Sequence, residues 1–318
     1  MKIQLFPPLS FYQLGRRANQ EDARFPDSDN PSAAGTTFIV CDGVGGLDKG
    51  EIASSTVAEA MGTAMQRFDG SETFTDGDFA RVLGTAYMAL GEKNTGASKG
   101  MATTLTFVHF HAGGAFTAYI GDSRIYQIRP GTGVVFRSYD HSLVNVLVRS
   151  GSISPADAID HPQSNIITRC MGGPEDKSDA ANIFNIADVR PGDYFLLCSD
   201  GVLHQTSDEQ LVELLEAPFT DEEKIAQLAM TASTSADNNT AMLLHVADVE
   251  ENAAAEELTG EPEHEPEADD ADKSTTRQIP VHGAQAHDVQ PADPSDNGPT
   301  PTEDPRRGGI IGMFKKWF

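Results

Sequence analysis

The chain has 318 residues, 48 Asp and Glu against 23 Lys and Arg, a formal net charge of −25 and 39% hydrophobic residues. That length allows one large domain or two modest ones, and the acid excess argues against nucleic acid as a partner, because phosphate backbones are held by surplus Lys and Arg. No run approaches the ~18 apolar residues of a membrane span, residues 1–8 are too short an apolar run for a secretory signal, and Cys41, Cys170 and Cys198 are too far apart for a disulfide framework or a CxxC-type zinc site, which fits a reducing cytoplasm.

In chain order, residues 37–41, 103–109, 115–120, 125–128, 134–137, 194–198 and 241–246 are short β-branched or apolar runs and predict strands. Helical spacing of Ala53, Val57, Ala60, Ala64 and Phe68 predicts a helix over 51–68, and Phe79, Val82, Leu83, Ala86 and Leu90 predict another over 79–90. Ser207 with Gln210, and Thr220 with Glu223, are capping boxes that open two later helices. Strands close together, as at 103–137, with helices in blocks, favour α+β with mostly antiparallel sheets over a doubly wound parallel fold.

The acidity is uneven. Residues 250–304 hold 16 Asp and Glu against Lys273 and Arg277, a net −14, and the interval 250–305 carries eight of the 18 prolines. With few large apolar residues such a segment cannot offset the entropy of ordering, so 249–307 is expected to be a disordered acidic linker. The body, 1–249, is then −15, with the folded unit expected over 1–248, and 305–318 is +4. In the tip, 308–318, Ile310, Ile311, Phe314, Trp317 and Phe318 share one helical face. Exposed Trp and Phe invite docking, on a partner protein, on this chain itself or, with less charge to help, on a membrane surface. The expected location is cytoplasmic, with peripheral membrane contact as the variant.

Four places set a carboxylate in unusual company. Arg16 and Arg17 precede Glu21 and Asp22; Asp42 ends an apolar strand and enters Gly43-Val44-Gly45-Gly46; Asp200 ends another and enters Gly201; Asp237-Asn238 leads into 241–246. Burying an Asp at a strand end is costly unless something pairs with it. A following glycine lets backbone approach a ligand closely. Several carboxylates with little His or Cys nearby suit Mg²⁺ or Mn²⁺ rather than zinc. Any one Asp-Gly alone is more simply a turn; the repeated pattern outweighs that.

In this order the motifs resemble the metal-dependent protein phosphatase family of the 2C type, over about residues 10–247. Arg17, Glu21 and Asp22 match its opening motif; Asp42 to Gly46, then Gly50-Glu51, match Asp-Gly-x-Gly-Gly and Gly-Glu. Gly100 to Thr104, Gly121-Asp122-Ser123-Arg124, Asp140-His141-Ser142, Pro191 to Asp193, Ser199-Asp200-Gly201 and Asp237-Asn238 follow in turn. The resemblance implies a four-layer α-β-β-α sandwich of two antiparallel sheets with a dinuclear metal site at one end. It implies that Asp42 bridges two Mn²⁺ or Mg²⁺ ions, that Glu21 and the Gly43 carbonyl complete one, and that Asp200 and Asp237 hold the other. Asp122 would join Asp200 at a third, weaker ion, and Arg17 would grip the substrate phosphate. The implied activity is hydrolysis of protein phosphoserine and phosphothreonine by a metal-bridging hydroxide, opposing a Ser/Thr kinase.

Val44 stands where eukaryotic relatives have a His, so the general acid is unassigned; His161, in a segment the family uses as a flap, is a candidate beside its plainer reading as a surface residue. Ala102 and Asn239 depart tolerably from the pattern, Cys41 and Cys198 read as core, and Arg16 could exchange with Arg17. Two other readings compete: a degenerate phosphatase-fold scaffold that binds phosphoproteins, and an ATP-lid glycine motif at Asp42 to Gly46. The complete carboxylate set disfavours the first, and the later Asp motifs have no place in the second.

Overall fold

The computed structural model describes residues 1–44, 49–95, 100–159, 161–172, 181–250 and 277–279. By its contacts the chain divides into Met1–His282 and Gly283–Phe318, and every described residue belongs to the first unit.

Two antiparallel sheets carry the unit. In the first, β11 (Asn239–Glu250) is paired along one side by both β2 (Leu9–Gln13) and β1 (Lys2–Leu5), and on the other by β10 (Tyr194–Cys198), β7 (Arg124–Arg129) and β8 (Gly133–Arg137) in turn. In the second the order is β12 (Arg277–Ile279), β9 (Ala181–Ile186), β6 (Gly114–Ile120), β5 (Leu105–His111), β4 (Thr37–Asp42) and β3 (Asp22–Phe25).

The period-two alternation of strand side chains separates three cores. Phe38 and Val40 of β4 meet Phe195 and Leu197 of β10 between the sheets, together with Val108, Phe110, Tyr119, Met242 and Leu244. The alternate residues Ile39 and Cys41 face α1 (Gly50–Met65) and α2 (Asp76–Lys93), where Val57, Met61, Phe79 and Leu83 complete a second core. On the other side, Tyr194, Leu196 and Cys198 face α6 (Asp208–Glu216) and α7 (Asp221–Ala232) through Leu211, Leu215 and Leu228. The result is the four-layer α-β-β-α sandwich. Truncating a ring such as Phe79 in this packing costs about 3–5 kcal/mol. Cys41 and Cys198 are core residues, as their strands predict.

Thr75 with Asp78, Ser207 with Gln210, and Thr220 with Glu223 all close capping boxes at α2, α6 and α7. α1 stops at Met65 rather than reaching Phe68, because the chain turns at Asp69 and at Gly70 with φ 81°. The strand expected from 103 starts at Leu105, since Thr103 and Thr104 spend their hydroxyls on the end of β4.

The run 103–137 is two hairpins, β5–β6 in the second sheet and β7–β8 in the first. The chain crosses between them at Gly121-Asp122-Ser123, which delivers Asp122 to one end of the sandwich. Three shorter helices complete the described chain: α3 (Leu143–Arg149), capped by Ser142, α4 (Pro155–Ile159) and α5 (Asp200–Leu203). In the stretch expected to be linker, β11 runs on through Glu250 and 277–279 add β12 to β9. The rest of that stretch and the 308–318 tip lie outside the described residues, as do Gly45 and Gly46.

Candidate active site

Strand ends from both sheets meet at one end. Asp22 opens β3 and Asp42 closes β4, directly opposite each other in register. Asp200 follows β10 and begins α5, Asp237 precedes β11, and Asp122 sits in the crossover. Asp22 and Asp122 are buried; Glu21, Asp42, Asp200 and Asp237 are half-buried.

Their electrostatics follow from that crowding. Burial, then the charges of Asp22, Asp200, Asp122 and Asp237, push the Asp42 carboxyl well above the usual range. Burial and the Asp200 charge lift Asp122 to about 8. Asp22 rises to about 7 through burial and the charges of Asp200 and Asp237, although Ser199 Oγ donates to its Oδ2 at 2.8 Å. Glu21 and Asp200 are also raised by burial first. At Arg17 the hydrogen bond to Asp237, 2.5 Å from Nη2 to Oδ2, raises the pKa further. Arg17 itself is half-exposed, at the mouth of the cluster.

Backbone hydrogen bonds lock the frame. Thr104 Oγ1 accepts from Asp42 N–H at 2.9 Å and shares a 2.7 Å hydrogen bond with Ser123 Oγ beside Asp122. Thr103 Oγ1 donates to Asp42 O, Thr104 N–H donates to the same carbonyl, and Gly43 N–H donates to Glu21 O. Asn238 accepts from Glu21 N–H at 2.8 Å and donates to Leu14 O and Asn19 O, so it ties down the loop that carries Arg17 and Glu21. A Cβ on Gly201 would meet the Asn238 carbonyl, which explains the glycine there.

The cluster suits hard divalent cations by its donors, which are oxygens throughout. Oδ1 of Asp122 and of Asp200 are buried with no hydrogen-bond partner, and the upward pKa shifts mark negative charge in want of a counterion. Among the described residues no three His, Cys, Asp or Glu side chains already close into a metal cage. Asp237 is turned to Arg17, and the remaining oxygens form an open array.

A groove of about 520 Å³ leads away from Asp122 and Asp200. Its floor holds Arg124, whose Nε and Nη2 bind both Asp140 oxygens at 2.7 Å, so the sequence motifs at 121–124 and 140–142 meet in a bidentate pair. Ser164 and Asn165 form part of its wall. His161 is not among the lining residues; its Nδ1 accepts from Gln163 N–H within its own turn.

The sequence profile of the protein phosphatase 2C family matches residues 16–251. The chain belongs to that family. It is 32% identical over 234 residues to the serine/threonine protein phosphatase PstP of Mycobacterium tuberculosis, a match covering 73% of this chain and 43% of PstP. The chain thus spans less than half the length of that relative. Protein phosphatase PhpP of Streptococcus pneumoniae is 32% identical over 218 residues, 67% of this chain and 86% of PhpP. The catalytic domain of PstP in complex with two manganese ions superposes with a TM-score of 0.62 at 27% identity, covering 78% of this chain and all of that one.

Within this phosphatase-family frame, several residues were not picked out by sequence reasoning. Ser199, Thr104 and Asn238 lay inside recognised motifs, but only the fold shows which carboxylate or loop each one holds. His204, Nε2 3.7 Å from Asp200 Oδ2, had a readable signal in its i,i+4 spacing from Asp200 at the C-cap of α5.

Proposed function

We propose that this chain hydrolyses phosphoserine and phosphothreonine monoesters in proteins and opposes a Ser/Thr kinase. What supports the reading most is the convergence of Asp22, Asp42, Asp122 and Asp200, short of positive charge, beneath Arg17. A monoester carrying nearly two negative charges would be repelled by these carboxylates alone, so Mn²⁺ or Mg²⁺ must stand between them.

The family resemblance implies the roles: Asp42 would serve two ions, Glu21 and the Gly43 carbonyl one of them, and Asp200 and Asp237 the other. Asp122 with Asp200 would hold a third, weaker ion. When bound, such ions acidify water and neutralise charge on the phosphoryl oxygens. Arg17 offers the planar N–H pair that fits phosphate, and its partner Asp237 keeps it aimed at the mouth until substrate arrives. Asp22 accepts from Ser199 and orients the strand end next to Asp42. Neither Cys41 nor Cys198, beside the carboxylates in sequence, offers a phosphocysteine route: both are buried, and burial pushes the Cys198 thiol up to about 12. His161 carries no role in this proposal.

The test is phosphate release from a phosphothreonine peptide with Mn²⁺, comparing wild type with Asp42→Asn. Metal-dependent turnover in the wild type and its loss in the variant are expected; a wild type without metal-dependent turnover ends the reading. No helix among the described residues is long and apolar enough to cross a membrane. For the 308–318 tip the proposal is docking on a partner protein, with the acidic stretch that follows β12, residues 280–307, as tether. Deleting 306–318 is expected to abolish partner pull-down; loss of liposome binding alone would assign the tip to membrane instead.

A further inference from the structure

His141 stands between two parts of the site without touching any of the carboxylates named above. On one side is the crossover at 121–123 that carries Asp122. The ring Nδ1 accepts from Gly121 N–H at 3.0 Å, and the His141 main-chain N–H donates to Gly121 O at 2.8 Å. One residue therefore holds both peptide groups of Gly121. That glycine sits at φ 104°, and a Cβ there would collide with the Thr104 side chain, so the turn has little freedom to adopt another path.

On the other side is the 161–172 segment. His141 O accepts from Thr168 N–H at 2.7 Å, Ser142 bridges Ile167, and Leu143 N–H donates to Ile166 O. The imidazole stacks on Tyr119 with centroids 5.3 Å apart, and its Nε2 faces Arg169 and Asn182. Because Nδ1 accepts a backbone N–H, a neutral ring must carry its proton on Nε2, and of the two groups facing that nitrogen only Asn182 can accept it, Arg169 being a donor. Burial, with the Arg169 charge, keeps the ring neutral by lowering its pKa to about 4.

Asp122 needs such support. Its Oδ1 is buried and makes no hydrogen bond, so the turn, rather than a side-chain partner at that oxygen, sets where the carboxylate points.

We propose that His141 is a positioning residue for Asp122: Nδ1 fixes the Gly121 turn that aims the carboxylate at the cluster, and the His141 main chain fastens the base of the 161–172 segment to the same turn. This rests on the metal-dependent phosphatase reading above.

The experiment compares His141→Asn, His141→Gln and Asp122→Asn, using Mn²⁺ binding by calorimetry and turnover of a phosphothreonine peptide. An Asn amide oxygen can stand near Nδ1 and accept from Gly121, whereas a Gln amide reaches the Nε2 position instead. His141→Gln should lose the weaker Mn²⁺ class as Asp122→Asn does and lower turnover by roughly 10–100-fold, as partners of metal ligands do. His141→Asn should retain both within about threefold, with all three variants melting as cooperatively as the wild type. A His141→Gln protein that binds Mn²⁺ like the wild type overturns the proposal. So does a His141→Asn protein as impaired as His141→Gln, which would reduce His141 to packing. Should the variants not fold, ring ¹⁵N signals of the wild type decide: an Nε2–H tautomer is expected, and an Nδ1–H tautomer overturns the assignment. An inactive wild type would instead sink the phosphatase reading, and the tautomer would still test the contact with Gly121.

Discussion

Asp22 and Asp42 stand opposite each other in register across β3 and β4, so two carboxylates share one rung of the ladder. Like charges directly opposite are destabilising, and burial lifts both groups upward, Asp22 to about 7. The sign follows: a carboxyl with a raised folded pKa adds stability in its protonated form, and that stability is lost as pH climbs from the ordinary carboxylate range through the folded value. For Asp22 and for Asp122, at about 8, the loss falls between the ordinary aspartate value of 3.8 and those figures.

The first prediction concerns metal and pH together. Divalent cations offset the repulsion only after the carboxyls have lost their protons. The rise in melting temperature on adding Mn²⁺ should therefore be several degrees larger at about pH 8.5 than at about pH 6. Thermal melts with Mn²⁺ and with chelator, at both pH values, measure it. An increment that is flat or shrinks with pH contradicts the assignment of these carboxylates.

A second prediction isolates Thr104. Its hydroxyl accepts from Asp42 N–H and joins Ser123 across the site, and Thr104→Val keeps the shape while deleting that link. An unsatisfied buried N–H costs about 1–3 kcal/mol. The variant should lose about that much stability in urea and roughly 10–100-fold in turnover at limiting Mn²⁺. Partial recovery at saturating Mn²⁺ would show that Thr104 acts through the metal array.

The third lies at the β5 histidines, far along the strand from the cluster. His109 is buried, with Nδ1 2.9 Å from Thr37 Oγ1 and its ring packed edge-on to Phe74. Burial and then the neighbouring His111 hold its pKa down to about 4. A histidine with a depressed folded pKa stabilises above its unfolded value, and that contribution is lost as pH falls from 6.5 towards 4. At about 1.4 kcal/mol per unit, the loss is on the order of 3 kcal/mol. In metal-free protein, His109→Gln should be weaker at neutral pH yet lose less stability than the wild type on acidification to about pH 4.5. Parallel curves would refute a titrating His109.

Much of this was legible before folding was considered. The strands from 37 to 137, and those at 194 and 241, announce themselves through apolar runs, and both late capping boxes cap real helices. β3 was hidden because it buries Asp22 and Arg24, the residue types that patterning assigns to solvent; Arg24 is held by Ser10 and Asp29. β1 and β2 are short and gain order from lying along β11, a pairing more than two hundred residues away in sequence. β9 is an apolar run broken by Asn182 and Asn185, without strand alternation, and needs β6 to complete it. At the site, Asp42 and Asp200 could be read from strand-Asp-Gly spacing, Glu21, Asp22 and Asp237 from acidic residues in unusual company, and Asp122 from the family resemblance. What holds them could not, because Thr104 to Asp42, Asn238 to Glu21 and His141 to Gly121 are contacts between distant segments.

The last prediction concerns Arg17. It is half-exposed, and its pairing with Asp237 orients the guanidinium but adds little stability at such a surface. Arg17→Ala should therefore melt within about 1 kcal/mol of the wild type. Losing the charge-assisted hydrogen bonds to phosphate, about 1.5–3 kcal/mol, should lower kcat/KM by roughly 10–150-fold, mainly through KM. Arg17→Lys restores the charge but not the planar fork, so it should recover only part of the loss. Steady-state kinetics on a phosphothreonine peptide separate these outcomes. If Arg17→Ala left KM and kcat untouched, the phosphate would have to be held elsewhere, and neighbouring Arg16 would be the next residue to replace.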